Sequence, residues 1–149
     1  MGMYTELNIG VNLAPDTPEN VIAILKYMIG DETQLNFTTP NHPLFTTERW
    51  EIMLCCRSCY FAGVEGSFME KDNILGQWKL SIRCSLKNYD SEIQKFMDFI
   101  QPYLDTYGFL GYMRYEEYDY PTLIYNDGKE IYYKQPKLAK FTGPIMKNI

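Results

Sequence analysis

The stretch Gln77-Trp78-Lys79-Leu80-Ser81-Ile82-Arg83-Cys84-Ser85-Leu86 decides the fold. Apolar and polar residues alternate through it without a break. Side chains of a strand point to opposite faces in turn. Trp78, Leu80, Ile82, Cys84 and Leu86 therefore face inward, while Lys79, Ser81, Arg83, Ser85 and then Lys87 face outward. A strand with one apolar and one basic, solvated face belongs to an antiparallel sheet covered on one side.

Upstream, residues 5–13 alternate in the same way. Leu7, Ile9, Val11 and Leu13 face one side; Glu6, Asn8, Gly10 and Asn12 face the other. A helix is expected next, over 18–29. Thr17 is its N-cap, Pro18 its first residue, and Glu19 lies where the helix dipole favours an acid. Val21, Ile22, Ile24, Leu25, Met28 and Ile29 form its apolar side, and Gly30 suits the position just past its end. Residues 31–49 are a long connection carrying Pro40, Asn41, His42 and Pro43, with a short strand at 35–38 as an alternative. Trp50, Ile52, Leu54 and Cys56 alternate, so a strand is expected over 50–57. A second, broken by Gly63 and Gly66, is expected over 59–69, with a turn at Asp72-Asn73.

Downstream, Asp90 is the expected N-cap of a second helix. Ile93, Phe96, Met97 and Ile100 fall on one stripe of it, and Pro102 ends or bends it. Strands are expected at 109–118, 121–125 and 130–134, the last two joined through Asn126-Asp127-Gly128, a hairpin signal. The order β-α-loop-β-β-β-α-β-β-β predicts an α+β fold. An antiparallel sheet carries both helices on one face, in a ferredoxin-like split βαβ arrangement with an extra C-terminal hairpin. The expected domain spans 1–134. Residues 135–149, with Pro136, Pro144, several lysines and no acid, read as an extended tail.

Composition narrows the function. The 149 residues carry a net charge of −5, which argues against nucleic acid as a partner. No apolar run is long enough to cross a membrane, and the N-terminus lacks the basic and apolar regions of a secretory signal. A cytoplasmic setting with reduced thiols is expected for Cys55, Cys56, Cys59 and Cys84. Cys55 and Cys56 are adjacent on an expected strand and point apart, while Cys56 and Cys84 fall on apolar faces. That placement suits neither a zinc site nor a redox pair, so no metal and no cofactor are expected. His42 is the only histidine and sits in a polar loop, which argues against histidine-based catalysis. Carboxylate chemistry has acids enough, but no spacing singles out a pair.

Two constellations remain. Arg114-Tyr115-Glu116-Glu117-Tyr118-Asp119-Tyr120 places three acids and three tyrosines in seven residues. On a continuous strand, Arg114, Glu116 and Tyr118 share one face, and with Tyr120 they would receive a basic partner. A charged strand end that discourages edge pairing is the plainer reading. Lys79 and Arg83, with Lys87, form a basic ladder suited to an anionic small molecule or nucleotide. Thirteen tyrosines are many for this length, and tyrosine serves strands and binding faces alike.

In size, acidity, tyrosine content and lack of catalytic motifs, the chain resembles the small proteins carried by phages and mobile elements. The absence of catalytic spacing, combined with the 114–120 stretch, points to a non-enzymatic interaction protein that presents a tyrosine-rich acidic face and inhibits or regulates a larger host or defence protein. The alternative is a small-molecule binder, working as a homodimer through the open face of the sheet.

Overall fold

The computed structural model describes residues 3–136. Six antiparallel strands form one sheet in the order β2-β3-β1-β4-β5-β6. The strands are β1 (Thr5–Asn12), β2 (Phe68–Asp72), β3 (Gln77–Leu86), β4 (Gly108–Tyr115), β5 (Thr122–Asn126) and β6 (Ile131–Lys134). Helix α1 (Glu19–Met28) connects β1 to β2, and α2 (Glu92–Ile100) connects β3 to β4. Each helix thus joins two strands that have one other strand between them.

The alternation read in β1 and β3 sets the core. Leu7, Ile9 and Val11 of β1 and Leu80, Ile82 and Cys84 of β3 are buried in one cluster. Val21, Ile24, Leu25 and Met28 of α1 join it, as do Ile93, Phe96, Met97 and Ile100 of α2. Each large apolar side chain buried this way contributes ~1.5–3 kcal/mol. β1 is the pivot of the register, because Thr5 lies opposite both Leu86 of β3 and Tyr115 of β4.

Neither helix starts as the sequence suggests. Thr17 turns its hydroxyl to the Ala14 carbonyl, 2.6 Å away, and caps nothing on α1. At α2 the cap is supplied by Asn88, whose Oδ1 accepts from the Ile93 amide at 2.9 Å, and not by Asp90. Glu92 reaches back to accept from the Asp90 amide, and Ser91 takes a left-handed conformation at φ 57° to allow it.

The larger correction is at 50–67, where no strand forms. Trp50, Met53 and Leu54 are buried while Ile52 and Cys56 are exposed. That spacing is of a helical turn, and the backbone follows it, with Trp50, Ile52 and Cys55 each donating to a carbonyl three residues back. The connection before it holds no strand at 35–38, but a 3-10 turn at Pro43–Thr46. Its Phe45 packs edge-on against Trp50 and Phe99, both with centroids at 4.9 Å, and so ties the connection to α2. β4 also ends sooner than expected, at Tyr115, because 116–117 turn. The expected tail falls outside the described residues from 137 onward.

One glycine shapes the site. Gly111 in β4 stands opposite Ile9 at φ +151°, where a Cβ would lie 2.0 Å from the Asn8 carbonyl oxygen. The register of β4 with β5 shifts beside it, between Phe109 and Gly111. This irregularity brings Phe109 to the helix-free face while Leu110 enters the core. Gly10 of β1, by contrast, has nothing within 4 Å of an added Cβ. Gly111→Ala is expected to destabilise the fold by about 3 kcal/mol. Gly10→Ala should be neutral or stabilise by roughly 0.5 kcal/mol. Urea denaturation of the two variants beside the parent checks both values.

Candidate functional site

β3 has twice the length of β2, so its edge beyond Ser81 lacks a strand partner. Unpaired backbone groups are costly to leave dry. The segment 54–67 supplies partners: the Ser85 amide donates to the Cys56 carbonyl at 3.1 Å, and the Arg83 amide to Ser67 Oγ at 3.3 Å. From that edge the segment straps over the helix-free face. Ser58 donates to Glu6 Oε2 at 2.5 Å, and the Cys59 amide donates to Ser85 Oγ at 3.0 Å. Glu6 has no exposed surface and pairs through its other oxygen with Arg114 Nη2 at 3.1 Å. The Arg114 guanidinium lies 3.6 Å from the ring centre of Tyr60, and that of Arg83 lies 4.7 Å from Phe61. The face expected to be open is therefore covered by its own loop where Glu6, Arg83, Ser85 and Arg114 lie, while Gly10 and Lys79 stay exposed.

This separates the residues that the sequence groups together. Arg114 and Arg83 lie under the strap, engaged by internal partners. Lys79 is exposed and stands opposite Glu70 of β2. Glu116 accepts from the Tyr4 amide at 2.8 Å. Tyr118 is not on the Arg114 face. The turn after β4 brings its amide to the Tyr115 carbonyl at 3.0 Å and its ring edge-on to Tyr115, with centroids at 5.2 Å and planes at 81°. Tyr120 stacks on Tyr118 at 6.3 Å.

On that opposite side lies a groove of about 410 Å³ lined by Thr5, Asn88, Tyr89, Gln94, Tyr115 and Tyr118, among others. The register makes it. Since Thr5 faces both Leu86 and Tyr115, the segments leaving β3 and β4 must emerge side by side. Asn88 donates to Gln94 at 3.1 Å, and the Met3 amide donates to the Tyr89 hydroxyl at 2.9 Å. Among the described residues, no charged side chain lines the groove, but Glu116, Glu117 and Asp119 follow directly in the turn. Burial first, and then the Glu117 carboxylate, raise the Tyr115 phenol above its ordinary value. Tyr89, Thr5, Asn88 and Gln94 are absent from the sequence reading. Only the pairing of β1 with both neighbours reveals them.

The uncovered part of the helix-free face, on β4–β6, is aromatic. Phe109 is paired with Tyr125, and Tyr125 with Tyr132, in one row, and Phe109 and Tyr132 are largely exposed. Hydrogen bonds to Asp127, and then its charge, push the Tyr132 phenol up to about 12.

Among the described residues, no group of three or more His, Cys, Asp and Glu is placed to hold a metal. Cys55, Cys56 and Cys59 are exposed, so Cys56 is not on the apolar side where alternation puts it. Cys84 is buried, and burial raises its thiol pKa strongly. His42 is not a free loop side chain. Its Nδ1 accepts from the Leu44 amide at 3.0 Å and its ring packs on Phe99 at 5.6 Å, an N-cap role in which burial lowers its pKa against the pull of Asp98.

No protein-family model, curated protein or solved structure matches the chain.

Two outcomes follow from these contacts. Glu6→Ala should cost about 3 kcal/mol, since removing one partner strands the other. Adding Arg114→Leu to it should recover part of that loss, as read by urea denaturation. For His42, the lowered folded-state pKa means that the unfolded chain takes up the proton first. Stability should be constant above the ordinary value of 6.5, fall as pH drops through it, and level off below the folded-state value. His42→Asn keeps a cap acceptor and should abolish that component when the two proteins are compared across the pH series.

Proposed function

We propose that this protein is a non-enzymatic interaction protein that inhibits or regulates a larger host or defence protein in the cytoplasm, as proteins of phages and mobile elements do. The carrying observation is the tyrosine groove set beside the acidic turn 116–119. Tyrosine gives large contact area with little conformational entropy to lose. The three acids beside it would steer a basic segment of the partner toward the groove. The strand order supports reading the first four strands as a ferredoxin-like scaffold with β5–β6 appended. No helix among the described residues is long and apolar enough to cross a membrane.

The anionic-ligand alternative loses one of its supports, because Arg83 lies under Phe61. The homodimer keeps one: the row Phe109, Tyr125 and Tyr132 is a flat aromatic surface of the kind that subunit contacts use.

Affinity capture from the source cells, with the parent chain and two double variants as baits, tests the reading. A partner retained by the parent and by Phe109→Ser/Tyr132→Ser, but lost by Glu117→Lys/Tyr118→Ser, is the expected result. The complex should weaken as salt is raised. Retention of every partner by the groove variant would overturn the site. Light scattering on the Phe109→Ser/Tyr132→Ser protein decides the dimer: the parent should be dimeric and the variant monomeric.

A further inference from the structure

We infer that the groove is an aromatic cage for a quaternary ammonium group, held against the faces of Tyr89, Tyr115 and Tyr118. This rests on the groove's being the binding site proposed above and names the chemistry it selects.

The geometry gives the first reason. Tyr115 and Tyr118 meet edge to face, at 81° with centroids at 5.2 Å, and both line the groove. Tyr89 lines the same cavity from the segment after β3. Ring faces carry partial negative charge and attract a cation within about 6 Å.

The lining gives the second. Among the described residues it contains no acid and no base, only tyrosines, threonines, amides and methionines. Two of those amides, Asn88 and Gln94, bond to each other. A plain ammonium or guanidinium ion would leave its N–H donors without carboxylate partners there, at a desolvation cost. A fully methylated ammonium has no N–H to satisfy and holds its water weakly. An anion would meet the negative ring faces and, just outside, Glu116, Glu117 and Asp119.

The molecule's own cations give the third. Lys26 lies over Trp78 at 4.5 Å, Arg83 over Phe61 at 4.7 Å, Lys87 over Tyr4 at 5.9 Å and Arg114 over Tyr60 at 3.6 Å. Among the described residues, none lies over Tyr89, Tyr115 or Tyr118. A cavity of about 410 Å³ is within the range of small-ligand sites and admits a trimethylammonium group with its connecting chain.

The test uses the full chain and calorimetric titration with three probes: choline chloride, a short peptide bearing trimethyllysine, and 3,3-dimethylbutanol, the uncharged isostere of choline. Both cations should bind saturably, at least about tenfold more tightly than the isostere. Tighter binding of the peptide identifies a methylated lysine as the source, and equal binding identifies a free small molecule. Tyr118→Leu and Tyr89→Leu keep apolar bulk but lose the phenol ring, and each should weaken choline binding by about tenfold, a loss of roughly 1.4 kcal/mol. Phe37→Leu, at an exposed ring outside the groove, should leave it unchanged. Thermal melts establish that the variants are folded. Equal binding of choline and its isostere, no saturable binding of either cation, or unchanged binding by both groove variants would overturn the cage. If the cations fail to bind while Glu117→Lys/Tyr118→Ser still loses the protein partner, the cage is wrong and the interaction surface stands. If choline binds with the stated selectivity while that variant keeps its partner, the protein surface is wrong and the cage stands.

Discussion

A carboxylate without exposed surface, Glu6, organises the helix-free side of this protein. An acid buried without partners would take up a proton or unfold its surroundings. Here one oxygen is held by Arg114 and the other by Ser58, so strand β1, strand β4 and the strap across the sheet meet at one side chain. The arrangement also fixes what the sheet can offer. Arg114 is held from below by Glu6 and from above by Tyr60, and Arg83 is covered by Phe61. Arg114 and Arg83 are thus part of the fold, and free surface is left at exposed Lys79, on β4–β6 and at the groove on the other side.

The groove has an equally definite cause. It exists because β1 pairs with β3 and β4 in registers that end at the same residue, Thr5. The chain leaving β3 must turn there into α2, and the chain leaving β4 must turn back toward β5. Asn88 caps α2 at that point, while the turn at 116–117 folds Tyr118 onto Tyr115. Capping and turning are local events. Sharing one end of the sheet makes them face each other, and a cavity between two turns results.

Much of the scaffold was legible because its signals are local. The alternation in 5–13 and 77–86, the apolar stripes of both helices and the Asp127-Gly128 turn each follow from a short window and appear in the structure within a few residues. The failures share a different character. Trp50, Ile52, Leu54 and Cys56 alternate as a strand would, yet Trp50, Met53 and Leu54 also fit a helical turn, and contact with Phe45 and the core favours the second pattern. Glu6 sits in a polar position of a clean alternation, and nothing nearby in sequence announces that Ser58 will cover it. Tyr118 falls beside Arg114 only on a continuous strand, and a turn of two residues moves it to the other face. The groove depends on residues 5, 88–94 and 115–118, which no window contains together.

Charge distribution completes the logic of the binding reading. The chain has five more acids than bases, yet that excess is not spread evenly among the contacts. Arg49 is paired with buried Glu92 at 2.6 Å and Arg114 with buried Glu6, so two bases serve two internal acids. Other cations lie on rings of the strap, of β3 and of the N-terminal segment. Glu117 and Asp119 have no salt-bridge partner among the described residues, and they stand beside tyrosine rings that likewise carry no internal cation. An interior that consumes its own positive charge leaves the 115–119 turn as the place where negative potential and ring surface coincide. A positively charged partner group gains from both there, and among the described residues no cation lies over those rings.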